Sequence, residues 1–232
     1  MTFWSQIKDF FGGKRAAPPA DDSLEGVHWV SASDSPFGVD MLDCRGFSQS
    51  VVAATQDAAI SSRFVALRTS KGEEYCGRTP TDSIRCACAL RYPHTGDTAN
   101  GPLFKAHAME FKWDIYLYDG SLYFVRSWTG ELAYRATIQF SDSQATVSAV
   151  EAQQALVESD SAYAIAVVDY LIRSHIYGLP VPHPLPKSMG RDARVMALFS
   201  FSQYGRFALF ATHADTTHLV VPSHGRPDGA DA

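Results

Sequence analysis

Residues 116–140 read YLYDGSLYFVRSWTGELAYRATIQF, three β-type runs separated by two tight turns. Asp119-Gly120 between alternating runs is a two-residue hairpin signal, because a type I′ turn needs positive φ at both positions. Such a turn sets Tyr118 opposite Ser121, Tyr116 opposite Tyr123 and Trp113 opposite Arg126. One face then carries Trp113, Ile115, Leu117, Leu122 and Phe124, and that face is expected to meet the core. The second turn admits two registers. A two-residue Thr129-Gly130 loop would put Phe124 opposite Arg135 and turn Leu132 and Tyr134 away from the core. A three-residue Trp128-Thr129-Gly130 loop, with Gly130 left-handed in a G1 bulge, pairs Phe124 with Tyr134 and Leu122 with Ala136. The second keeps apolar residues on one side and is the register expected. It also puts Trp128 at the tip of a turn and Arg126 just behind it, where turn geometry alone asks for neither.

Around this meander the chain reads as an α+β protein: an antiparallel sheet packed by helices, with an amphipathic helix on a linker at the N-terminus. Residues 1–12 place Phe3, Trp4, Ile7, Phe10 and Phe11 on one side, and Lys14 and Arg15 follow. Residues 13–26 (GKRAAPPADDSLEG) have linker composition. Residues 27–212 are expected to form one α+β domain, and 213–232 a disordered tail. Within the domain, VHWVSA, VDMLDC and SIRCACALRY read as strands that extend the meander, and ATVSAVEA as one more. DAAISSRFVALR reads as a helix capped by Asp57 and closed by Gly72. SDSAYAIAVVDYLIRSHIYG is the clearest helix, with Asp160 at its start, Gly178 at its end and an Asp169–Arg173 i,i+4 pair. DARVMALFSFSQYG is a further helix. The four prolines of LPVPHPLPK exclude a helix or inner strand and favour an extended path over the surface, with His183 exposed on it.

The segment KWDIYLYDGSLYFVRSWTGELAY, residues 112–134, resembles one found in uncharacterised bacterial proteins: Lys-Trp-x-Ile-Tyr, a turn, Leu-Tyr-Phe-x-Arg-Ser-Trp-Thr-Gly, then a tyrosine. IRSHIYGLPVPHPLP is similar to a segment of such proteins as well. The resemblance implies that the hairpin and the Pro-rich stretch belong to one recurring bacterial domain, and it implies no activity.

Composition narrows the functional classes. Hydrophobic residues make up 46% of the 232 and charged residues 19%, enough apolar material for a sizeable core. A net charge of −5 gives no overall basic field, so no nucleic acid partner is expected. The start of the chain lacks a basic stretch followed by an apolar run and cleavage site, and no run approaches the ~20 apolar residues of a membrane span. A cytoplasmic protein is expected, with weak contact to the inner-membrane surface through the N-terminal helix, or a protein partner docking there. Cys86 and Cys88 are spaced too closely for a zinc ribbon or finger, and no metal or cofactor is expected. Phosphate-loop, dinucleotide-binding, zinc-protease and nucleophile-elbow motifs are absent. Cys44, beside Asp40, Asp43 and Arg45, is weighed as a nucleophile against a structural cysteine at a strand end, the simpler reading.

Candidate binding residues are therefore Lys112, Arg126, Ser127, Trp128, Thr129 and His183. The plain alternative for Arg126 is a cation–π contact with cross-strand Trp113. The leading expectation is a non-enzymatic binding or interaction protein of accessory or immunity-like type. The alternative is an enzyme or sensor with an anionic small-molecule site near Arg126 and His183. A deep polar pocket joining the hairpin to the Pro-rich stretch would favour a small-molecule site, and a flat surface there a protein partner.

Overall fold

The computed structural model describes residues 24–219 apart from residue 97. The N-terminal segment with Phe3, Trp4, Ile7, Phe10 and Phe11 and the tail from residue 220 lie outside the described residues. The rest is α+β, with two sheets and a small set of helices. The strands are β1 (His28–Val30), β2 (Met41–Asp43), β3 (Ser83–Pro93), β4 (Gly101–Phe104), β5 (Trp113–Tyr118), β6 (Ser121–Arg126), β7 (Leu132–Ser141), β8 (Gln144–Gln153), β9 (His183–Pro184) and β10 (Phe210–Thr212). The helices are α1 (Arg45–Ser50), α2 (Ala58–Thr69), α3 (Gln154–Val157), α4 (Ser161–Leu171) and α5 (Ala193–Tyr204).

The larger sheet runs β3-β8-β7-β6-β5-β4 and is antiparallel throughout. Its centre is the meander expected from residues 113–140. Asp119 and Gly120 both have positive φ, and Trp113 lies opposite Arg126 and Tyr116 opposite Tyr123. Phe124 pairs with Tyr134 and Leu122 with Ala136, as the apolar pattern requires. The tip, however, is one residue longer than expected. Gly130 N–H donates to the Arg126 carbonyl at 2.8 Å and Arg126 N–H to the Glu131 carbonyl at 2.9 Å, which makes Ser127–Gly130 the loop. Val125 pairs with Leu132, so Ala133 is an extra residue whose bulge restores the register at Phe124.

β1 and β2 do not extend this sheet. They form a second one, ordered β1-β2-β10-β9, in which β9 pairs parallel with β10. The expectation that 27–44 joins the meander fails because the partner strand of β2 lies near the far end of the chain. The Pro-rich stretch also departs from its expected surface path. His183, Pro184 and Leu185 are buried, and β9 is an edge strand, where the missing N–H of proline is tolerated.

The main core lies between the larger sheet and α4. It contains Trp113, Ile115, Leu117, Leu122 and Phe124 with Val167, Val168 and Leu171. Asp160 caps α4 by accepting from the N–H groups of Ala162 and Tyr163, and the helix continues into a π turn over Ile172–Ile176. The other face of the meander is covered too, by α2 and the turn after it, through Tyr75, Tyr116, Tyr123, Val125 and Leu132. Gly72, at φ +87°, lies against the Tyr116 ring, where an added Cβ would approach to 2.2 Å. A third cluster joins α5 to the smaller sheet through Leu42, Leu185, Met196 and Ala211, with Leu24 packed on it. Two boundaries shift accordingly. Leu24, expected in the linker, packs on this cluster. Residues 216–219, expected in the tail, are held by Arg173, which donates to the carbonyls of Thr216, Thr217 and Leu219.

Candidate functional site

The hairpin tip is built from β6, its loop and the segment before β5. The Arg126 guanidinium donates to the carbonyls of Ser202 (2.8 Å) and Gln203 (3.1 Å) and lies 4.7 Å over the Trp113 ring. Those carbonyls belong to the last turn of α5, which an α-helix leaves without partners. The Trp113 indole N–H donates to the same Gln203 carbonyl at 2.8 Å. Arg126 thus caps a helix C-terminus, where a cation is also favoured by the helix dipole. Burial holds its pKa below the usual arginine range.

Ser127 is buried, donating through Oγ to the Phe111 carbonyl and through N–H to the Lys112 carbonyl. The half-buried Trp128 indole donates to the Met109 carbonyl at 2.8 Å. Lys112 Nζ donates to that same carbonyl and sits 4.2 Å from the Trp128 ring centre. Lys112 is buried, and desolvation, aided by the nearby Arg126 charge, pushes its pKa down to about 7. Thr129 is exposed, and its carbonyl accepts from Arg63. Gly130 takes φ +70°, and its carbonyl accepts from the Tyr75 hydroxyl at 3.0 Å. Lys112, Arg126, Ser127 and Trp128 are therefore brought together, and each is tied to a neighbouring element.

His183 is elsewhere. Its Nε2 lies 2.7 Å from Ser200 Oγ, and its ring contacts Tyr170 and Tyr204, none of them on the hairpin. Its Nδ1 is buried without a partner, and burial pushes its pKa down to about 3. In the polar cluster at Cys44, Asp43 and Cys44 are buried while Asp40 and Arg45 are exposed. Asp43 takes a bidentate bond from Arg45, and burial lifts the Cys44 thiol to about 12, so no thiolate is present at neutral pH. Among the described residues no group of three or more His, Cys, Asp or Glu is placed to hold a metal ion, and no helix is long and apolar enough to cross a membrane.

The hairpin and the Pro-rich stretch nonetheless meet at a cavity of about 500 Å³. Glu131, the residue after the hairpin loop, Gln153 from the end of β8, Leu156 and Glu158 from α3 and its cap, and Tyr163 from α4 line one side. Pro186, Ser188 and Met189 from the Pro-rich stretch, and Val195, Phe199 and Gln203 from α5, line the other. The Gln153 amide is oriented by its own Nε2, which donates to Glu131 Oε1 at 2.8 Å, and its Oε1 is left buried without a hydrogen-bond donor. Two contacts span the cavity's rim. Ser188 Oγ donates to Glu158 Oε2 at 2.8 Å, and Lys187 Nζ pairs with Asp160 Oδ2 at 3.3 Å. Glu158 (φ +48°) and the next residue, Ser159 (φ +64°), are both left-handed without being glycine. None of these cavity residues stood out in the sequence, because the four segments that supply them carry no shared motif and converge only in the fold.

The chain matches no protein-family model, and no curated protein and no solved structure matches it.

Proposed function

We propose that this protein is a non-catalytic binding protein whose ligand is a small organic molecule held in the cavity between the hairpin tip, α3, the Pro-rich stretch and α5. The observation that carries the reading is that cavity itself. Its volume of about 500 Å³ falls among those of small-molecule sites, and its lining mixes apolar walls with a few polar groups. The side chains with the most reactive chemistry are turned elsewhere. Cys44, Lys112 and His183 are buried in the protein interior and do not line it. The hairpin motif supports the reading indirectly, since Arg126, Ser127 and Trp128 fix the tip, and with it Glu131, against α5 and the segment before β5.

A fragment library screened by ligand-observed NMR tests this, with the protein compared against Val195→Trp, which fills the cavity from α5. Fragments are expected that bind the protein and lose binding in the variant. Ser188→Trp fills it from the opposite wall and serves if Val195→Trp melts early. A screen whose hits are unchanged by both fillings would refute the cavity as the ligand site.

A further inference from the structure

We infer that the cavity selects a ligand bearing a protonated amine on an apolar body, an inference that rests on the cavity being the ligand site. Its polar lining holds the carboxylates of Glu131 and Glu158 and the amide of Gln153, whose buried Oε1 has no donor, beside the hydroxyls of Tyr163 and Ser188 and the Gln203 amide. No lysine, arginine or histidine is among the lining residues. Arg191 and Arg194, next in the chain to the lining residues Gly190 and Val195, are not themselves among the lining residues, and Arg191 lies 4.8 Å over the Trp29 ring. Arg126 directs its donors to the α5 carbonyls, and Lys187 pairs with Asp160 at the rim. An anion entering here would face two carboxylates and an acceptor that already lacks a donor. A neutral hydroxyl offers one donor. An ammonium offers three and brings the opposite charge. The remaining wall, Leu156, Met189, Val195 and Phe199, is apolar and suits an alkyl or aryl body.

Glu158 stands at the C-terminal cap of α3 in the left-handed region, a position where glycine or asparagine carries the least strain. Ser159 repeats that conformation directly after it. A glutamate in this conformation carries backbone strain that a glycine would not. Its one hydrogen bond, from Ser188, is a contact at the rim that an entering ammonium can replace.

The test uses one isosteric series, 4-phenylbutylammonium, 4-phenylbutanol and 4-phenylbutyrate, titrated by NMR into the full chain and into Glu131→Gln, Glu158→Gln and Glu158→Gly. The ammonium is expected to bind at least about ten-fold tighter than the alcohol, with the carboxylate weakest. Because Glu131 and Glu158 are exposed, the preference should shrink as salt is raised. Each Glu→Gln change should reduce the ammonium preference while leaving alcohol binding within about two-fold. Glu158→Gly separates a ligand role from a structural one. It relieves the left-handed strain, so the melting temperature should hold or rise while the ammonium preference falls. A lower melting temperature with the preference intact would make Glu158 structural and overturn the assignment. Equal binding of the three probes, a preference for the alcohol or the carboxylate, or no binding by any also overturns it. Those outcomes leave the cavity reading standing if the fragment screen finds ligands that the Val195→Trp filling displaces.

Discussion

Arg126 donates to two carbonyls at the end of α5 and stacks on Trp113 across the hairpin. A side chain of the type that binds anions is here the last turn of a helix completed from outside. Arg126→Met keeps the stem and removes the donors. It should cost about 2–4 kcal/mol in urea unfolding, given the usual worth of hydrogen bonds to charged groups. Arg126→Lys should recover less than half of that, since an ammonium cannot reproduce the guanidinium fork or its stacking. A full recovery by lysine would mean that charge alone matters at this helix end. Trp128 is judged the same way. Trp128→Phe keeps most of the ring and drops the bond to Met109, for an expected loss of about 1 kcal/mol. Trp128→Ala should lose about 2–3 kcal/mol, less than a fully buried tryptophan, because the ring is half-buried. The cation–π contact between Arg126 and Trp113 was legible from the Asp119-Gly120 turn alone. The helix-capping role was not, because Ser202 and Gln203 accept through backbone carbonyls, which leave no trace in residue identity.

At the scale of elements, the meander was legible because its pairing is local. Two turns fix every partner within residues 113–140, and a slip of one residue would turn the apolar set outward. Even there the tip held one more residue than expected, and the Ala133 bulge absorbed it, which alternation alone does not reveal. The docking of α2 across the outer face was illegible. It rests on Asp114, fully buried, which accepts from Arg68 (2.8 and 3.1 Å), from Lys105 (3.2 Å) and from the Ala106 N–H (2.8 Å). Arg68 continues to the carbonyl of Ser127, and Lys105 to the Tyr116 hydroxyl, so one carboxylate ties α2, the segment after β4 and the hairpin together. Asp114→Ala leaves two cations with no carboxylate in a partly buried site. It should destabilise by about 3–5 kcal/mol, the cost of breaking such a pair from one side. The removal of Lys105 in the same chain should then be close to neutral, measured as a double-mutant cycle in denaturant. If the two losses simply add, the network is a set of independent surface pairs.

For the whole molecule, the fold depends on contacts between distant parts of the chain. β2 pairs with β10, and Arg173 holds residues 216–219 while Asp169 bonds both Arg173 and the Tyr92 hydroxyl. The i,i+4 pair Asp169–Arg173 was legible, but its partners more than forty residues away were not. Folding also traps His175, on the π turn, and His183, on β9, in the interior, and burial pushes both down to about 3. That makes the stability of the whole chain depend on pH. With folded values depressed below the unfolded ~6.5, the two histidines contribute stability that is fully present above pH ~6.5. It is lost as pH falls, because the unfolded chain takes up protons that the folded one refuses. Asp169 acts in the opposite sense. Burial raises it to about 6, so between ~4 and ~6 the folded chain holds a proton the unfolded one releases. From these three groups the net slope is at most about 1.4 kcal/mol per pH unit through that range, with stability rising with pH, and the lowered carboxyls of Asp43, Asp160 and Asp215 add to it as pH nears ~4. Urea unfolding from pH 7 down to pH 4.5 should show this decline. In His183→Gln the decline should flatten by up to about one proton's worth, whatever the variant loses at pH 7, because a difference of slopes is independent of the packing cost. An unchanged slope would mean that His183 reaches the solvent and takes up its proton in the folded state.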